Sequence, residues 1–283
     1  MVGSVELVYL TTVKRFKWAE VIMSNSKCKL CGNEGKLEKS HIIPKSYFKS
    51  LKSGNGQLVA IVCDDETQPK RSNIDPKEEL LCRECEQFIS VNYERYGTQL
   101  FKRTTNIKKA KSYIEFNGFK YTEYYLYLIS ILWRASISTI AEFSNVKLNA
   151  QFDELLAHCI KRKSIKLGTS LKLDHFIRIS VLRVIDSSGQ LDDNIIKKLM
   201  MSFGIERGET AQDGMIYYFM IDGFLIGFYL NVEKDIHDVR TLRIAGQLKN
   251  RKQIRIPKVE IVNLKQVHQA LNTVIDKAKG STL

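Results

Sequence analysis

Proline is scarce in this chain, with four in 283 residues, while phenylalanine and tyrosine number 13 and 12. Few prolines and many aromatics exclude a proline-rich linker and a disordered segment, and point to a packed core. Long apolar runs are missing too. Tyr124–Trp133 is apolar but about half the length of a membrane helix, and Arg134 follows it. Met1–Glu20 has neither a continuous apolar stretch nor a small-residue cleavage site, so no secretory signal is read there. Internal repeats and low-complexity tracts are absent. These absences lead to the expectation of a cytoplasmic protein with no membrane partner. Met23, just before the first cysteine pair, offers an alternative translation start.

Acid is the deficient charge. The chain carries 44 Lys+Arg against 31 Asp+Glu, a formal net charge of +13. The excess is spread out, with 21 against 14 in residues 1–120 and 23 against 17 in the remainder. Such a balance suits a polyanionic partner, nucleic acid ahead of an anionic membrane, although distributed charge also serves solubility.

Residues 24–100 hold four paired cysteines and many turn formers, including Gly54-Asn55-Gly56 and Gln68–Asn73. Leu58–Cys63 is a short β-branched run expected as a strand. Helical patterning begins at Leu80 and stops at Gly97. Residues 101–283 are expected to form an α+β domain. Its helices fall at Tyr121–Phe143, apolar nearly all round, and at Phe152–Lys163, Asp192–Phe203 and Leu264–Ala278. A strand is expected over Phe176–Ile185. Met215–Ile221 and Phe224–Leu230 flank Asp222-Gly223, a strong hairpin signal, so the strands should pair antiparallel.

Chemistry concentrates in Cys28-Lys-Leu-Cys31 and Cys82-Arg-Glu-Cys85. Two residues between thiolates place both sulfurs on one side of a tight knuckle, and two knuckles supply the four sulfurs that a structural zinc ion prefers. Gly32 suits the positive φ of such a turn. Disulfides and a redox pair are the alternatives, less suited to a reducing compartment and to a chain with no βαβ pattern around either pair. Cys63 and Cys159 have no partner at ligand spacing and are expected as small buried residues.

Between the pairs stands Lys36-Leu37-Glu38-Lys39-Ser40-His41-Ile42-Ile43-Pro44-Lys45. The order CxxCG, a strand ending in His-Ile-Ile-Pro, then Leu-Cys-x-x-Cys opening a helix, resembles the zinc-stabilised HNH, or His-Me finger, endonucleases over about residues 25–97. The resemblance implies an α+β chain with an amino-terminal ββα-metal finger clamped by structural Zn²⁺. It implies His41 as the general base that takes a proton from water, and a catalytic Mg²⁺ or Mn²⁺ between hairpin and helix. It also implies a metal-dependent endonuclease acting on nucleic acid, expected to be DNA, of a kind associated with phage defence or mobile elements.

The sequence departs from that pattern. Ser40 stands where members carry Asp or His, and Glu86 where they often carry Asn or His. Glu86 is therefore the candidate ligand for the second metal, with Asp75 and Glu94 in reserve. Eight residues separate Glu86 from Glu94, about 80° past two turns of a straight α-helix, so there the two would not share a site. Lys45, Lys49, Arg251 and Lys252 are candidate nucleic-acid contacts, or simply solvated charge. The tyrosines of residues 121–127 are expected in the core rather than as a stacking platform, and Arg134 calls for a carboxylate or phosphate partner. A catalytically inactive zinc module that binds nucleic acid or a protein is the competing reading.

Overall fold

The computed structural model describes residues 26–52, 59–61, 70–71, 76–102, 105–207, 214–230 and 245–264. Cys63, Asp75, the Gly54-Asn55-Gly56 turn, Met23 and nearly all of the helix expected over Leu264–Ala278 lie outside these residues. Among the described residues, no helix is long and apolar enough to cross a membrane.

The chain begins with β1 (Ser26–Lys27), β2 (Glu34–Gly35), β3 (Leu37–His41), α1 (Lys45–Lys52), β4 (Val59–Ile61), β5 (Lys70–Arg71) and β6 (Lys77–Cys82). An uninterrupted helical stretch follows, made of α2 (Arg83–Ile89), a π turn (Ser90–Glu94) and α3 (Arg95–Leu100). Next come β7 (Ile107–Lys109), β8 (Tyr113–Asn117), α4 (Tyr121–Ile137), α5 (Ala150–Arg162), β9 (Ile177–Ile185), α6 (Asp193–Lys198) and β10 (Leu199–Arg207). The described chain ends with β11 (Met215–Ile221), β12 (Phe224–Leu230) and β13 (Gln253–Glu260).

Nine strands form one mixed sheet in the order β5-β4-β10-β11-β12-β9-β13-β8-β7. All neighbours run antiparallel except β4 with β10 and β9 with β13. Separately, β3 pairs antiparallel with β6, and β1 with β2. The mixed α+β composition and the antiparallel majority agree with the sequence. The boundary expected at residue 100 is crossed twice. β4 and β5 arise between the two cysteine pairs yet lie at one edge of the large sheet. One buried cluster also runs from Cys28, Ile42 and Leu81 through α4 to Phe219 and Phe228.

Helix α4 buries fourteen of its seventeen residues, which explains its lack of a polar face. It stops at Ile137, short of the expected Phe143, because Ser138 turns extended and Ser138 and Thr139 donate to the Glu78 carboxylate on β6. The Asp222-Gly223 hairpin forms as expected. Both residues have positive φ, 51° and 73°, and Ile221 pairs with Phe224. At Gly223 an added Cβ would sit 1.6 Å from a guanidinium nitrogen of Arg183, so a side chain is excluded there.

The helix expected over Asp192–Phe203 is a correction. Asp192 caps α6 as a helix start should be capped, but the helix ends at Lys198 and the chain continues as β10. Residues Leu199–Gly204 are buried in succession. Met200 and Phe203 enter the main core, while Leu199 and Met201 enter a second cluster on the other face, with Ile196 and Ile261. A strand covered on both faces has no polar alternation to announce it.

Candidate metal centre and the strand–helix junction

The cysteines come together as the spacing implied. Their four sulfur atoms lie within 4.8 Å of one another, the only group of three or more potential metal ligands among the described residues. Cys31 Sγ and Cys82 Sγ are 3.8 Å apart. A tetrahedron of sulfurs at about 2.3 Å from zinc has edges of about 3.8 Å, so the donor set fits the ion. The first knuckle is a tight turn in which Gly32 N–H donates to the Cys28 carbonyl (2.9 Å) and Gly32 takes φ 82°. Asn33 N–H approaches Cys31 Sγ at 3.5 Å, and Cys82 N–H approaches Cys28 Sγ at 3.3 Å. Lys29 N–H donates to the Leu80 carbonyl, tying this knuckle to β6.

Protonation of the bare thiols follows their surroundings. Burial raises the Cys28 thiol, but backbone donors at Cys31, Cys82 and Leu30 outweigh it and bring it to about 7. Burial pushes Cys82 up to about 11, and burial with the adjacent sulfurs pushes Cys85 higher still. Four crowded sulfurs cannot all ionise unaided; a bound cation replaces their protons. Cys159 is buried and distant in role, as expected of a small core residue.

This cluster fixes a junction. β3 pairs with β6 in the register Leu37↔Cys82 to His41↔Lys77, with a bulge between Glu38 and Lys39, and β6 runs directly into α2. Ser40, fully buried, donates its hydroxyl to Glu86 Oε2 at 2.7 Å. The two residues that depart from the family pattern are therefore hydrogen-bonded to each other across 46 positions of sequence. Glu86 is partly exposed in the first turn of α2, where a carboxylate also meets the positive end of the helix. His41 is next to Ser40 and half-buried.

Arg134 supplies what sequence reasoning did not. Fully buried on α4, it donates to the Ser130 carbonyl (3.1 Å), to the His41 carbonyl (2.7 Å) and to Glu94 Oε1 (2.8 Å). The carboxylate partner that the sequence demanded but did not identify is Glu94, so Glu94 is committed to the arginine. The straight-helix phase argument also needs correcting. The π turn, marked by Arg95 N–H donating to the Ser90 carbonyl, takes up one extra residue. Glu94 then sits as if about seven residues beyond Glu86, roughly 20° short of two full turns. Both carboxylates thus face the β3 side, one meeting Ser40 and the other the arginine that holds His41.

The remaining candidates are spread out. Lys45 is exposed at the start of α1, and Lys49 lies one turn further along that helix. Arg251 and Lys252 are exposed in the loop before β13, where the Lys252 carbonyl accepts from Phe119 N–H. Further along the same basic stretch, Arg255 pairs with Glu115 and Lys258 with the Ala110 carbonyl, so those two are engaged within the sheet. The tyrosines of α4 are core, as expected. Compared with family models, with curated proteins and with solved structures, the chain gives no significant match.

Proposed function

We propose that the chain is a metal-dependent endonuclease of the His-Me finger type, with His41 as general base and Glu86 as the carboxylate that holds a divalent cation. The observation that carries this reading is the junction itself. A strand ending in Ser40-His41 is paired to the strand that leads into α2, the cysteine cluster locks both, and Ser40 touches Glu86.

Glu86 has one oxygen engaged by Ser40 and a second carboxylate oxygen available to a cation, a sparse donor set that suits Mg²⁺ or Mn²⁺, which commonly keep water and substrate phosphate as further ligands. Such a cation would supply charge for the growing negative charge on the phosphate. The protein's own part is positional. Arg134 fixes the backbone of His41 through its carbonyl, and Ser40 fixes the rotamer of Glu86. A neutral imidazole held there takes a proton from water as it attacks phosphorus. The zinc is structural, having all four positions filled by sulfur. With a net charge of +13, the substrate is nucleic acid, DNA first.

Plasmid nicking with Mg²⁺ or Mn²⁺ tests this. His41→Ala and Glu86→Ala are expected to lose at least about a hundredfold in rate, the usual scale for a general base. Equal cleavage by wild type and His41→Ala would remove the assigned base. One observation favours a second reading, an inactive nucleic-acid or protein-binding zinc module: Glu86 is the only carboxylate that contacts Ser40. That reading expects salt-sensitive binding that survives His41→Ala, with no cleavage under either metal.

A further inference from the structure

A second site lies on the sheet, built by residues that the junction does not use. A cleft of about 370 Å³ opens between the start of α4, the loop into β9 and the loop before β13. Tyr121 and Tyr125 lie at its base, and Asp174, Arg178, Gln247 and Lys249 are among the residues around it. Both tyrosine hydroxyls are occupied, Tyr121 donating to Asp174 Oδ2 (2.8 Å) and Tyr125 to the Ile177 carbonyl (2.7 Å). What they offer a ligand is ring surface.

Asp174 is unusual. Its Oδ1 is buried and makes no hydrogen bond, although a buried carboxylate oxygen without a donor is costly. Arg178 and Lys249 are exposed, and no carboxylate is paired with either among the described residues. A simple anion would satisfy the cations and be repelled by Asp174. A simple cation would do the reverse. A ligand with an N–H donor, a flat ring and a phosphate satisfies all three features.

We infer that this cleft binds a nucleotide whose base carries an exocyclic amine. Asp174 accepts from the amine, as carboxylates accept from the cytosine amino group in base readout. The tyrosines receive the ring, and Arg178 and Lys249 receive the phosphate. The volume lies within the range of small-ligand clefts. The same chemistry comes from two sources, a free mononucleotide or one nucleotide of a strand. The inference does not depend on the nuclease reading.

Calorimetric titration of the zinc-loaded full chain, made in the His41→Ala background and without Mg²⁺ so that nothing is cleaved, tests it. AMP, GMP and CMP are the amine-bearing probes, UMP is the amine-free control, and a short mixed-sequence oligonucleotide probes the strand. At least one amine-bearing nucleotide is expected to bind about tenfold or more tighter than UMP, and Asp174→Asn to erase that preference while keeping an acceptor for Tyr121. The double variant Arg178→Ala/Lys249→Ala should weaken the nucleotide but not its nucleoside. Mononucleotide binding with these sensitivities assigns a free ligand. Binding of the oligonucleotide alone, with the same Asp174→Asn loss, assigns a base within a strand. No binding of either, equal binding of UMP, or variants that bind like the parent would overturn the inference.

Discussion

Two parts of this molecule solve the problem of stability by different means. The sheet with α4 is stabilised by burial: Trp133, Phe203, Phe219 and Phe228 are all at most 1% exposed, and both faces of β10 are covered. The cysteine finger has short strands, two of them only two residues long, and a cluster of sulfurs at its centre. Its apolar side, with Ile42, Ile43, Leu80 and Leu81, is lent to the neighbouring core. Small elements cannot bury enough surface alone, and a metal ion makes up the difference. The comparison also separates precision from bulk, because the residues of the candidate site sit on the small, metal-tied part.

The largest expected effect that would sharpen this contrast is loss of the ion. Structural zinc contributes on the order of 10 kcal/mol, coupled to folding. Cys85→Ser, or a strong chelator, should abolish zinc content and expose residues 26–41 to protease, with the β-sheet circular dichroism retained. Loss of the sheet signal in the same step would break the comparison. Acidification should release the ion as well, because protons compete for the thiolates.

Next in size is the contact between the two parts. Arg134→Met leaves Glu94 and the His41 carbonyl without their donor, and removing one partner of a buried pair costs about 3–5 kcal/mol. A urea double-mutant cycle with Glu94→Gln should recover part of that loss. Full additivity of the two variants would show that the contact does not couple them.

The smallest effect concerns Glu78, which ties β6 to the end of α4. Burial works against its ionised form, but the donors of Ser138 and Thr139 prevail and hold its carboxyl below the ordinary value of 4.5. A depressed folded-state pKa means that its stabilisation is present above that ordinary value and is lost as pH falls through the folded one. Wild type and Glu78→Gln should therefore differ in melting temperature near neutral pH and converge in acid. A constant gap down to low pH would contradict that assignment.

Local chemistry was legible in the sequence and distant pairing was not. The CxxC spacing announced the sulfur cluster, and Asp222-Gly223 announced its hairpin, because each is decided within a few residues. β10 was hidden by its own burial. The Arg134–Glu94 pair spans 40 residues and depends on a π turn that helical periodicity does not signal. The Ser40–Glu86 contact was hidden for a related reason: two departures from a familiar pattern look independent until the fold sets them side by side.

The parallel pairing of β4 with β10 has a consequence for the order of assembly. The metal must gather Cys31 and Cys82 across 51 positions of chain, a closure that costs entropy when the intervening segment is free. Once β4 lies on the sheet edge, that excursion is divided into two shorter spans, each ending near the cluster. Metal capture is then easiest as a late event, templated by a sheet already formed. The ion acts as a final latch on the folding pathway, and a refolding experiment that adds zinc after the sheet has formed should close it faster than one that adds zinc at the start.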